Sequence, residues 1–326
     1  MVIMEQIMVS VSCRAYNHEN YIEQCLKGLV MQKTSFKYEI IVHDDASTDG
    51  TADIIRKYAE KYPDIIVPIL QTENQYSQGV NTFKTYIDPI IRGKYIALCE
   101  GDDFWTDENK LQKQFDAMEN NPECSMCVHS TACVDRDGNP IDRVFPPVNI
   151  SSGVLSSQQI IDLLPQWLFQ LTSYFCRVDD YRKAQCEFEL SHLFPVGDMK
   201  IIYFMASLGD YYYLKDTMSC YRVNAKNSWT SRQTTDSKIK FAHRMCNMEY
   251  AYINYLKEKR PDLNVGNIRD NVIPYYEFQY SLYEENYRKI LLNPKLRKQL
   301  RNIGYKHRIK AIILGCIPAK LVRGKK

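Results

Sequence analysis

The sequence predicts an α/β protein, with a mostly parallel sheet carrying helices on both faces and a helical C-terminal extension. Three observations point there. Strand and helix patterns alternate through roughly the first hundred residues, acidic clusters follow two of those strands, and the pattern turns helical and Tyr-rich beyond about residue 230. Strands alternating with helices build βαβ units, whose ligands gather at the carboxyl ends of the strands.

The elements follow in order. Residues 7–13 (I-M-V-S-V-S-C) read as a strand, and Ile22, Cys25, Leu26, Leu29 and Val30 then recur at the spacing of one helix face. Residues 38–43 form a second strand that runs into D-D-A-S-T-D-G-T. Ala52, Ile55, Tyr58, Ala59 and Tyr62 mark the next helix, with Ser47, Thr48 or Asp49 available to cap it. Residues 65–70 give a third strand, 82–91 a helix, and 95–99 a fourth strand ending at E-G-D-D. Past Gly101 the pattern is mixed. A helix is predicted over 108–120, a strand over 126–134 and a turn at D-R-D-G-N (135–139). Further strands at 171–177 and 211–221 flank a helix that starts near Asp198. A boundary near residue 230 separates a domain of 1–230, with halves 1–105 and 106–230, from an extension of 231–326.

Composition narrows the function classes. With 45% hydrophobic and 25% charged residues, disordered and fibrous classes are excluded. Residues 295–326 hold 11 Lys and Arg and no acid, leaving 31 basic against 39 acidic side chains elsewhere, a net of −8. An acidic body without a nucleic-acid motif argues against a nucleic-acid partner. The first residues lack a basic n-region and a small-residue cleavage site, and no run of 18 apolar residues occurs. A reduced, cytoplasmic protein is the expectation. Cys124 and Cys127 have C-x-x-C spacing but no second ligand pair, so a zinc site is not expected.

Carboxylates crowded at a strand end repel one another unless a cation or a donor-rich ligand holds them. Glu100, Asp102 and Asp103 suit a hard divalent cation, Mn²⁺ or Mg²⁺, shared with phosphate oxygens. A solvated turn capping the following helix would also explain them. The second cluster, H-D-D-A-S-T-D-G-T (43–51), contains a frame close to a phosphotransfer motif, but Ser47 stands where that chemistry needs a nucleophilic Asp. His43 is expected to serve its strand.

Three ordered motifs carry a resemblance: V-S-V-S-C-R-A-Y-N-H-E-N-Y-I-E-Q-C-L-K-G-L-V-M-Q (9–32), Y-E-I-I-V-H-D-D-A-S-T-D-G-T (38–51) and G-K-Y-I-A-L-C-E-G-D-D-F-W (93–105). Together with V-G-D-M-K (196–200) and S-C-Y-R-V-N (219–224), they resemble glycosyltransferase family 2, the inverting enzymes with the Rossmann-like GT-A fold, over roughly residues 7–230. The likeness to bacterial surface-polysaccharide members implies transfer of a sugar from a nucleotide-sugar donor to an acceptor hydroxyl. It makes 1–105 the nucleotide-sugar half and 106–230 the acceptor half.

Residue by residue, the resemblance implies that Ala15, Tyr16 and Glu19 line the nucleotide pocket and that Asp45 accepts from the base, uracil for preference. It places Glu100 and Asp102 at the donor, Asp102 and Asp103 at the metal, and Asp198 as general base. Capping the helix at 199–208 is the other reading of Asp198. Trp105, Thr172 and Arg222 are candidates for the acceptor side, although Trp105 suits the core, Thr172 a strand alternation and Arg222 the diphosphate. Asn224 replaces the His common in the family. Neither Q-x-x-R-W nor a spanning helix is present, which favours single additions.

The tail interleaves Lys and Arg with Ile309, Ile312, Ile313, Leu314, Ile317, Leu321 and Val322. Such a stretch suits an anionic membrane surface, the inner face of the plasma membrane here, where a lipid-linked glycan acceptor would lie. Packing of its apolar stripe on the domain is the alternative. Two rival functions remain. A sugar-phosphate nucleotidyltransferase would resemble a Gly-rich loop after the first strand, absent here, and a degenerate glycan- or nucleotide-binding module would not need all three acids intact.

Overall fold

A computed structural model describes residues 6–164, 168–188, 190–194, 197–225, 234–302, 308 and 312. The chain divides into two compact units: 1–157, 166–191 and 198–231 form the first, and 158–165, 192–197 and 232–326 the second. The two short segments that join the helical unit carried no signal of their own.

The first unit begins with strand β1 (Ile7–Ala15), helix α1 (Ile22–Val30), strand β2 (Lys37–Asp44), helix α2 (Thr51–Lys61) and strand β3 (Ile66–Leu70). Strand β4 (Tyr95–Glu100) then pairs with β1, so β3, β2, β1 and β4 lie side by side and parallel. Apolar residues drive this order. Val9, Val11 and Cys13 of β1, Ile40 and Val42 of β2, and Ala97 and Cys99 of β4 share one buried cluster with Ile22, Cys25, Leu26 and Leu29 of α1. Gly28 lets α1 come this close, because a Cβ there would lie 2.6 Å from the Trp105 carbonyl oxygen.

The rest of the sheet departs from a parallel plan. Strands β5 (Phe104–Trp105), β6 (Cys124–Val134), β7 (Pro140–Phe145), β8 (Gly153–Leu155), β9 (Phe175–Arg177) and β10 (Asp210–Arg222) complete the order β3-β2-β1-β4-β9-β6-β10-β5, with β7 on β6 and β8 on β10. β9 is antiparallel to both β4 and β6, while β6 and β10 run parallel. The sheet is therefore mixed, parallel from β3 through β4 and mixed in direction beyond it. The strand expected over 171–177 splits into a 3₁₀ turn, Leu171–Ser173, and the short β9. The helix expected over 82–91 likewise breaks into a π turn (Phe83–Ile87) and a 3₁₀ turn (Asp88–Ile90), since Pro89 lacks the N–H that would continue it. Cys124 and Cys127 both lie in the buried apolar cluster of the sheet, and burial raises the pKa of each thiol.

Helices α3 (Lys110–Asn120), α4 (Ser157–Leu163), α5 (Val178–Arg182) and α6 (Gly197–Leu208) connect these strands. The second unit is built on α7 (Thr235–Lys259), α8 (Ile273–Tyr283), α9 (Tyr287–Leu292) and α10 (Pro294–Gln299). A capping box of Thr234 and Ser237 starts α7, and Asn286 and Asn293 cap α9 and α10 with their side chains. Phe278, Tyr287, Ile290, Leu296 and Leu300 form its terminal core. No helix among the described residues is long and apolar enough to cross a membrane. Of the tail residues proposed to meet a membrane, Ile309, Ile313, Leu314, Ile317, Leu321 and Val322 lie outside the described residues, and Ile312 is exposed.

Candidate active site

Three loops at the carboxyl ends of β1, β2 and β4 build the site. The loop after β1 is laced to the loop after β2. Asn17 N–H donates to Ser47 Oγ at 2.8 Å, and His18 N–H to Thr51 Oγ1 at 2.8 Å. Thr48 N–H returns a bond to Asn17 Oδ1 at 2.8 Å, and Gly50 N–H one to Glu19 Oε2 at 3.1 Å. Asn17 and Ala46 take left-handed φ of 56° and 60°, a conformation Asn tolerates and Ala pays strain to hold. Ala15 is buried and Tyr16 half-buried at this corner.

The run D-D-A-S-T-D-G-T acquires a physical reading. Asp44 accepts the Ser47 N–H at 3.0 Å and the Ser47 hydroxyl. Asp49 accepts the Thr51 N–H at 3.0 Å, but the capping position is Gly50, which has no side-chain cap, so none of Ser47, Thr48 and Asp49 is the N-cap. Asp45 accepts backbone N–H groups from the loop after β3, Gln75 at 2.8 Å and Tyr76 at 3.1 Å. Asp45 thus ties down the 71–79 loop, and each of its oxygens keeps one further lone pair. His43 is buried against Tyr86, ring centroids 5.8 Å apart, and burial lowers its pKa.

The acids after β4 are short of donors. Asp103 is buried and accepts the Arg222 N–H at 2.9 Å, yet burial and the neighbouring Asp102 push its pKa well up. Asp102 is half-buried, and burial pushes it up to about 6 against the weaker pull of Arg222. Gly101, between Glu100 and Asp102, packs on His18, whose Nδ1 would lie 2.8 Å from a Cβ. Asp198 stands in the first turn of α6, inside the helix and not at the capping position. Burial, then the charge of Glu100, raises its pKa to about 7, while Arg14 acts the other way. Glu100, Asp102 and Asp103 are thereby electrostatically linked, and Glu100 links to Asp198.

Among the described residues, no three His, Cys, Asp or Glu side chains converge as ligands of a metal ion. The donor chemistry nevertheless fits a hard cation, because crowded carboxyls short of donors are what a divalent ion relieves. Glu100 and Asp102 are the half-buried members. Asp103 is committed to Arg222.

The acceptor candidates lie elsewhere than expected. Trp105 is 2% exposed, and its indole N–H donates to the Thr172 carbonyl and to Thr172 Oγ1, both at 3.2 Å. Thr172 is 0% exposed and also meets Cys99 Sγ. Both are core residues. Arg222, 3% exposed, donates from Nε to the Asp102 carbonyl at 3.0 Å and from one Nη to Gln24 at 2.8 Å. Its other Nη donates to the carbonyls of Asp135 and Arg136. Four of its five N–H groups are thus spent clamping the acidic loop to the 135–139 turn and to Gln24. A cavity of about 460 Å³ lined by Asn20, Tyr21, Gln24, Arg136, Asp137 and Arg222 opens beside this clamp.

Sequence reasoning missed Lys110. It is buried under the face of Trp105, 3.7 Å from the ring centroid, and burial lowers its pKa to about 7. Its place four residues before Gln114, which takes its ammonium at 2.7 Å, reads in sequence like any helix surface pair.

Residues 10–166 match the family model described as glycosyl transferase family 2. Uncharacterized proteins of Mycobacterium tuberculosis and Mycobacterium bovis are 34% identical over 235 residues, 71% of this chain. The chain spans 63% of their length. The UDP-Glc:alpha-D-GlcNAc-diphosphoundecaprenol beta-1,3-glucosyltransferase WfaP of Escherichia coli is 33% identical over 112 residues, 34% of this chain and 41% of that protein. Among solved structures, S. aureus TarS in complex with UDP-GlcNAc superposes with a TM-score of 0.61 over 94% of this chain and 79% of that one, at 15% identity. That likeness concerns the fold, which is of the GT-A type.

Proposed function

We propose that this chain, which carries a glycosyl transferase family 2 domain over residues 10–166, is an inverting glycosyltransferase that moves one sugar at a time. The donor is a nucleotide-sugar, UDP-linked for preference, and the acceptor is a hydroxyl of a lipid-linked or growing cell-surface glycan such as capsule, O-antigen or exopolysaccharide. One observation carries the reading. Asp102 and Asp198, both short of donors and both raised in pKa, are linked through Glu100 beside a corner whose loops are already saturated with hydrogen bonds. The named donor and lipid-linked acceptor of WfaP support the substrate classes.

In this mechanism Ala15, Tyr16 and Glu19 shape the nucleotide pocket, and Asp45 uses its remaining lone pairs on the base. Asp102 faces the diphosphate, and Glu100, two residues earlier, faces the sugar of the donor. Asp198 takes the proton of the acceptor hydroxyl as its oxygen attacks the anomeric carbon opposite the leaving diphosphate. One bond forms as one breaks, and the configuration inverts. A positioned carboxylate base contributes about 10²–10⁴ in rate. Asp102, backed by Asp103, would hold Mn²⁺ or Mg²⁺, which supplies positive charge against the phosphates when bound. The basic tail would hold the enzyme to the inner face of the plasma membrane, each Lys or Arg contributing about 1 kcal/mol.

Thermal stabilisation by UDP, GDP and dTDP, each with and without Mn²⁺, tests the donor site. A Mn²⁺-dependent rise with one base is expected, in proportion to affinity. No rise with any nucleotide would remove the reading.

A further inference from the structure

Arg14 holds an unusual position in the cleft. It is the penultimate residue of β1, and its register partners are His43 on β2 and Glu100 on β4. In neighbouring parallel strands, partners of this kind point to the same face of the sheet. The preceding row, Cys13 and Cys99, points to the other face and packs on Cys25 of α1. Arg14 and Glu100 are therefore adjacent on the face opposite α1. Asp198 and Tyr181 act electrostatically on Arg14.

The Arg14 side chain is unspent. A guanidinium carries five N–H donors, and among the described residues that of Arg14 makes no hydrogen bond. Its nearest anionic atom is Glu100 Oε1, at 3.7 Å, beyond hydrogen-bond length. The two side chains are 38% and 41% exposed, so both reach the cleft. A pair that sought only each other would close to about 2.8 Å. This one stays open, with donors on one arm and lone pairs on the other.

We infer that Arg14 and Glu100 together read two neighbouring hydroxyls of the sugar being transferred, Arg14 donating to one oxygen and Glu100 accepting from the next O–H. The inference rests on the donor site proposed above, and sharpens it. Asp198 lies on the acceptor side of the anomeric carbon and Asp102 on the diphosphate side, so a group electrostatically joined to both through Glu100 sits beside the sugar ring. A vicinal diol presents an acceptor and a donor side by side, the complement of this pair. A neutral ring also suits a cleft that already concentrates carboxylates, where an anionic sugar would be repelled.

The test compares UDP with UDP-sugars on the full chain in Mn²⁺, by calorimetry, for wild type, Arg14→Met, Arg14→Lys and Glu100→Gln. The wild type is expected to bind one UDP-sugar more tightly than UDP. Arg14→Met and Glu100→Gln should lose about tenfold to a hundredfold of that preference, the range for a hydrogen bond to a charged group, with UDP affinity unchanged. Arg14→Lys should restore part of it. Equal loss of UDP and UDP-sugar in Arg14→Met would place the residue on the diphosphate and overturn the pairing. An unchanged preference in the variants overturns it as well. Failure of the wild type to bind any nucleotide would remove the donor site itself and the pairing with it. Unfolding midpoints without ligand identify a variant that has lost its fold, and Arg14→Lys then decides.

Discussion

Two acid pairs occupy comparable places in this molecule, and they are used in opposite ways. Asp44 and Asp45 close β2, and their oxygens receive Ser47, Gln75 and Tyr76. Asp102 and Asp103 follow β4, and apart from their own backbone the one N–H they receive among the described residues is that of Arg222. The first pair pays for its desolvation with local donors, so it organises loops. The second is left in need of positive charge, so its pKa values climb. What separates structure from chemistry here is the supply of hydrogen bonds, since the residue types and strand-end positions are alike.

The comparison can be broken most forcefully at Asp198, which shares the undersupplied side. Asp198→Asn should lower kcat by about 10²–10⁴ while nucleotide binding persists. The pH profile of kcat/KM for the wild type should rise through about 7, because only the ionised carboxylate accepts a proton, and the variant should lack this limb. Retained turnover would end its role as base.

Asp102→Ala should abolish the Mn²⁺-dependent part of nucleotide stabilisation. An unchanged response to Mn²⁺ would make the second acid pair as structural as the first. Asp45→Ala sharpens the contrast from the other side. It leaves two loop N–H groups unpaired and should destabilise the fold by about 1–3 kcal/mol, read as a lower midpoint in urea. A normal midpoint with lost nucleotide binding would put Asp45 in the chemical class.

The smallest effect concerns Lys110, where burial acts on a cation. Its folded pKa of about 7 lies below the ordinary 10.5, so between these values the unfolded chain binds the extra proton. Stability from this group should rise as pH climbs from 7 towards 10.5 and fall as pH drops back, at no more than about 1.4 kcal/mol per pH unit. Lys110→Met should flatten that slope in urea titrations, and Cys99, Cys127 and Asp107, the groups that face it, remain in place. A slope unchanged in the variant would assign it to one of those neighbours.

Much of this was legible in sequence for a simple reason. β1, β2 and β4 are continuous apolar runs followed by short polar corners, and α1 shows one clean apolar stripe, so local pattern and tertiary burial agree. Legibility failed where neighbours decide. β9 is three residues long and owes its existence to β4 and β6, and its polar lead-in is a turn that no alternation reveals. Trp105 and Arg222 look like ligand-seeking side chains in a motif, yet their partners come from residues 67 and more than 80 positions away. Arg14 passed unnoticed for the converse reason. Its meaning lies in a bond it does not make.

The lacing of the 16–20 and 45–51 loops bears on how such a pocket can be inherited or re-engineered. Each loop holds the other's hydrogen-bonding partners, Asn17 for Thr48, Ser47 for Asn17, Glu19 for Gly50. Neither segment is a free cassette. A chimera that imports one without its counterpart strands several polar groups at once, whereas a joint transplant carries its own solvation along. Diversification of this corner would then proceed by paired changes, and the pair, not the single loop, is the heritable module.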